Sequence, residues 1–119
     1  MAPRLAVHLL GLCNIVAGAL VACAPVLLMP GLQGLTSPAA RLLGMSLGIV
    51  LAAVGIGAWL MPATANRTYL WIFGVLVKVI AAGAWGATAM TTGATMLAAG
   101  ALIDIAAAIA IAGLLRTAR

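Results

Sequence analysis

Apolar positions dominate this chain in four long stretches, at about residues 5–28, 39–61, 69–88 and 95–115. Each is close to the roughly 20 residues that a helix needs to cross a ~30 Å hydrocarbon core. The segments between them are "MPGLQGLTSP" (29–38), "PATANRT" (62–68) and "MTTGAT" (90–95). They are brief and carry the helix breakers Pro30, Gly31, Gly34, Pro38, Pro62 and Gly93. Ser37 ahead of Pro38 reads as a helix cap followed by a first-turn proline. Connections this short make sequence neighbours run antiparallel. The pattern therefore predicts an all-α fold, a single polytopic membrane domain over 1–119 built as an antiparallel up-down four-helix bundle.

Composition agrees with that reading. Of 119 residues 66% are hydrophobic and 6% charged, where a soluble domain carries about 25% charged residues. The net charge of +5 comes from Arg4, Arg41, Arg67, Lys78, Arg116 and Arg119 against Asp104 alone. These cations are scattered along the chain rather than clustered, so no nucleic-acid partner is expected. Most fall where cytoplasmic loop charges fall. Arg4 precedes the first stretch, Arg67 lies in the second connection, and Arg116 and Arg119 follow the last stretch, whereas the first and third connections are uncharged. The positive-inside rule then places both termini and the middle connection in the cytoplasm, with Trp59, Trp71 and Trp85 near the interfaces. "LVAC" (20–23) and "ACA" (22–24) resemble processing sites, but Pro25 follows the second, and the first stretch is expected to be retained.

Two charges interrupt the apolar pattern. Lys78, within "GVLVKVIAAGAW" (74–85), lies nine residues past Tyr69, and Asp104 lies nine past Thr95. On antiparallel neighbours both depths are about 14 Å, near the midplane. A charge there costs at least ~2.5–3.5 kcal/mol, much of which a partner offsets. The sole lysine and the sole acid are therefore expected to form a buried ion pair. Asn14 and Arg41 are candidates to extend it into a network. Arg41 is the more remote, separated from Asp104 by about 13 Å of depth and long enough to snorkel to the outer headgroups. His8, one turn into the first stretch, is expected at the interface. Cys13 and Cys23 would stand ~15 Å apart on one helix, too far to bridge, and read as small buried residues.

Small residues recur at helical spacing, which permits close backbone approach between membrane helices. Gly11 with Gly18, Gly44 with Gly48, and Gly100 with Ala108 on either side of Asp104 are the expected packing positions. No Ser/His/Asp set, phosphate loop, carboxylate pair or zinc-spaced ligand cluster is present, so neither a catalytic nor a metal site is expected and the chain does not read as an enzyme.

Three segments carry a family resemblance: "RLLGMSLGIVLAAVGIGAW" (41–59), the lysine in "FGVLVKVIAAGAW", and "ALIDIAAAIAIAGLL" (101–115). Together they resemble small bacterial four-span proteins of the DoxX-like group. Arg41 and Gly44 match that group's Arg-x-x-Gly opening of the second span, Lys78 its lysine and Asp104 its aspartate. Val77 and Ile103 stand where the group has glycine. The resemblance implies a compact four-helix fold in a bacterial inner membrane, and a likeness to small subunits of quinone-linked membrane oxidoreductases. The expected function is a non-catalytic accessory or structural subunit of a larger inner-membrane complex, such as a respiratory or photosynthetic electron-transfer assembly. Its partners are then membrane lipids and other integral membrane subunits, a hetero-complex rather than a homo-oligomer. One alternative is a small homo-oligomeric transporter or channel using Lys78 and Asp104. Another is binding of lipid, quinone or carotenoid between the helices, since no cofactor site is evident within the chain.

Overall fold

A computed structural model describes residues 3–23 and 38–117, and all regular structure among them is helical. Four helices are long and apolar enough to cross a membrane: α1 (Pro3–Cys23), α2 (Pro38–Leu60), α3 (Ala63–Thr92) and α4 (Thr95–Thr117). The chain is accordingly a multi-pass membrane protein by helix length and apolarity. Residues 24–28 of the first apolar stretch, and the first connection with Ser37, lie outside the described residues.

The second connection differs from its expectation. Pro62 ends α2 in an extended conformation (φ −67°, ψ 152°), and one 3₁₀ turn, Ala63–Ala65, leads directly into Asn66–Tyr69 as α-helix. Nothing between Ala63 and Tyr69 is a helix breaker, so the fixed φ of Pro62 turns the chain and the helix resumes at once. The far end of α3 also runs past Thr88, to Thr92. There the hydroxyls of Thr88 and Thr92 donate to the carbonyls of Ala84 (2.8 Å) and Thr88 (2.7 Å). Such back-bonding satisfies a hydroxyl inside a helix without water. Gly93 then stops the helix in the left-handed region (φ 70°), donating its N–H to the Ala89 carbonyl at 2.8 Å. Only a residue without a Cβ takes that conformation at little cost.

Within α3 the winding changes. Leu70–Leu76 is π-helical, and the N–H of Val77 reaches back to the carbonyl of Ile72. A π turn holds more residues than the 3.6 of an α-helix. Leu70, Gly74 and Ala82 are buried, and Lys78 falls into the same stride of four.

The chain divides into two compact units, one of His8–Met61 and one of Met1–Val7 with Pro62–Arg119, so the first turn of α1 belongs to the second unit. In the first unit α1 and α2 cross backbone to backbone. A methyl placed on Gly18 would lie 2.5 Å from the Gly48 carbonyl oxygen, and one on Gly55 would lie 2.5 Å from that of Gly11. The pairing 11 with 55 and 18 with 48 makes the two helices antiparallel. His8 continues the seam one turn further, its ring stacked on Trp59 with centroids 4.5 Å apart and planes 6° from parallel. In the second unit α4 presents Ala101, Ala108 and Leu115, one residue per heptad, as its buried positions. Pro3 and Arg4 of α1, the start of α3 and Leu115 of α4 surround an open cleft of about 340 Å³.

Candidate functional site

Lys78 and Asp104 face each other from the middles of their helices. Lys78 is fifteen residues from Ala63 and fourteen from Thr92, and Asp104 is nine from Thr95 and thirteen from Thr117. On α3 Lys78 stands four residues after buried Gly74 and four before buried Ala82, on their side of the helix. On α4 Asp104 lies between buried Ala101 and Ala108. Lys78 Nζ donates to Asp104 Oδ1 at 2.5 Å, a charge-assisted hydrogen bond. The two side chains are 23% and 17% exposed, so the pair is shielded but not sealed.

The same two helices make a second contact nearby. A methyl placed on Gly100 would lie 2.5 Å from Cε3 of Trp85, so the indole occupies the space that a Gly100 side chain would need. With Lys78 against Asp104 and Trp85 against Gly100, residue numbers rise on one helix as they fall on the other, and α3 and α4 are antiparallel. Trp85, two turns inside the end of α3, thus packs one edge of its indole against α4.

Of the other expected packing positions, Gly11, Gly18, Gly48, Gly100 and Ala108 all lie in helix contacts or are buried. At Gly44 a methyl meets nothing within 4 Å among the described residues. The packing stripe of α2 runs Gly48, Gly55, Ala58, and Gly44 is one turn beyond it. Gly55 was not foreseen, although its seven-residue spacing from Gly48 repeats the spacing of Gly11 and Gly18. Asn14, half-buried on α1, and Arg41, exposed at the start of α2, belong to the other unit from the ion pair.

Cys13 and Cys23 are free and exposed, not buried. At ~100° per residue, Cys13 is turned about 200° from Gly11 and Cys23 about 140° from Gly18, so both point away from the seam with α2. Among the described residues no three His, Cys, Asp or Glu side chains gather.

No family model, curated protein or solved structure matches this chain. The reading of the site rests on its own geometry.

Proposed function

We propose that this chain is a non-catalytic structural or accessory subunit of a larger assembly in a bacterial inner membrane, with Lys78–Asp104 pinning α3 to α4. The observation that carries the reading is the closed ion pair. The only lysine and the only acid meet at 2.5 Å in mid-helix, so these two charges are engaged with each other across two helices. Beyond the pair the helices offer mostly apolar surface, with Leu43 72%, Leu60 80%, Leu102 70% and Ile109 67% exposed, to be covered by lipid or by neighbouring subunits. The DoxX-like resemblance favours an electron-transfer complex, respiratory or photosynthetic, as the assembly. Both termini are cytoplasmic in this proposal. The cleft that draws the start of α1, the start of α3 and the end of α4 to one end, with Arg4 and Arg67 in its wall, supports that topology. Gentle solubilisation of native membranes followed by native electrophoresis tests the proposal. Migration within a larger complex is expected, and migration alone or as a small homo-oligomer overturns it.

A second reading is a homo-oligomeric transporter or channel. Two observations favour it: the pair is 23% and 17% exposed, and a π-helical stretch, a feature frequent at functional sites, ends just before Lys78. Flux through liposomes containing the chain, abolished by Asp104→Asn, is the result this reading requires. No flux with the unaltered chain removes it.

A further inference from the structure

We propose that the π-helical stretch of α3, Leu70–Leu76, is a rewinding joint that opens and closes the Lys78–Asp104 pair. The stretch lies between two anchored ends. Just before it Tyr69 is buried, and so is Leu70, its first residue, while the Phe73 ring packs 4.8 Å from that of Tyr69. Two residues after it Lys78 meets Asp104, and further along the same helix Trp85 meets Gly100. Each N–H in a π turn reaches one residue further back than in an α turn, so the stretch seats about one residue more than α winding does over the same rotation. With the start of α3 held, rewinding Leu70–Leu76 as α-helix therefore swings Lys78 by about 100°, the rotation of one α-helical residue. An ammonium turned that far around the helix no longer faces Asp104.

Little in the stretch itself holds one winding over the other. Leu70, at the anchored end, is its one large buried side chain; Gly74 is buried without a side chain, and Trp71, Ile72 and Leu76 are exposed. No proline lies between Ala63 and Thr92, so every N–H of the stretch can take either acceptor. That of Val77, which reaches the Ile72 carbonyl, passes on rewinding to the carbonyl of Phe73. Rewinding thus exchanges carbonyl partners within one helix and leaves the backbone satisfied inside the membrane. The pair at the far end is shielded but not sealed, so its separation breaks no closed core. π turns are frequent at functional sites, and an element with two discrete arrangements is what a switch requires. This inference rests on neither functional reading: absence of flux removes the transporter and leaves the test below unchanged.

Lys78 is the only lysine, so a membrane-permeant amine reagent, 1-fluoro-2,4-dinitrobenzene, reads its release from Asp104 in the full chain in mild detergent. Peptide mass spectrometry resolves the N-terminal amine separately. Deletion of Ile72 removes the surplus residue, so an all-α helix then joins the two anchored ends in register. That variant should unfold at the parent's detergent midpoint or above it. Its Lys78 should react at least about tenfold more slowly, because an open state populated at ~0.1–10% is lost. Deletion of Val79, exposed on the α-helical side of Lys78, has no surplus to draw on, turns Trp85 away from Gly100 and should lower the midpoint. Equal Lys78 reaction rates in the parent and the Ile72 deletion overturn the proposal. So does an Ile72 deletion that unfolds as readily as the Val79 deletion, since no residue would then be surplus. Hydrogen exchange of the unaltered chain needs no variant: amides of residues 73–77 should exchange faster than those of 80–88, and equal protection overturns the joint.

Discussion

Replacing Gly18 with alanine adds a single methyl group, and the α1–α2 crossing has no room for it. The new Cβ would lie 2.5 Å from the Gly48 carbonyl oxygen and 2.6 Å from the Ala52 nitrogen, where ordinary contact begins at 3.4 Å. Both neighbours are backbone atoms of a helix, so neither can rotate aside, and relief requires the helices to part by about 0.9 Å locally. A gap of 0.5–1 Å forfeits a quarter to a half of each atom-pair attraction. For roughly 40 atom pairs at about 0.15 kcal/mol each, losing a third comes to about 2 kcal/mol. Alanine's better helix propensity returns at most about 1 kcal/mol of this. Gly57→Ala is the control on the same helix pair, since a methyl at Gly57 meets nothing within 4 Å. Unfolding by sodium dodecyl sulfate in mixed micelles, followed by circular dichroism, measures both. Gly18→Ala should unfold at a clearly lower detergent fraction than the parent, while Gly57→Ala should match or exceed the parent. Equal midpoints for the two variants would refute the claim that backbone contact holds this unit together.

Three further outcomes follow from the second unit. Asp104→Asn leaves Lys78 charged without its carboxylate in mid-helix and should destabilise the chain by about 3 kcal/mol in the same assay. The joint change Lys78→Met with Asp104→Leu removes both charges and should lie within about 1–2 kcal/mol of the parent, since apolar replacements of a buried pair are often near neutral; a loss as large as that of Asp104→Asn would show that the charges themselves are needed. Gly100→Ala should cost about 1–3 kcal/mol by displacing the Trp85 indole, and combination with Trp85→Leu should recover part of it, whereas strict additivity would separate the two sites.

Much of this architecture is written in simple features of the chain. Four apolar stretches of bilayer length correspond to four helices, because in a membrane every backbone group must be satisfied within its own helix. Counting depth along two antiparallel helices leads to Lys78 and Asp104, the same residues that the structure joins. The missed boundaries share one cause. "PATANRT" and "MTTGAT" read as loops because proline, asparagine, glycine and threonine favour turns, yet Pro62 only redirects the chain and the threonine hydroxyls bond back into the helix as far as Thr92. The π winding of Leu70–Leu76 carries no comparable sequence signal beyond Gly74 within it. Gly55 was legible as the repeat of a heptad already noted at Gly11 and Gly18. The exposure of Cys13 was legible too, by helical rotation from Gly11, had the orientation of the seam been known first. The contact of Trp85 with Gly100 was hidden by the misplaced end of α3.

The central claim is that Lys78 and Asp104 meet and hold α3 against α4. Exchanging the charges tests it most directly: Lys78→Asp, Asp104→Lys and the double exchange are prepared in the full chain and compared for folded yield and detergent unfolding midpoint. Each single exchange places two like charges together in mid-helix and should lose most of the folded protein. The double exchange restores opposite charges and should recover more folded protein than either single change. Equal loss in all three variants would mean that the two side chains do not act on each other, and that something else sets the register of the two helices.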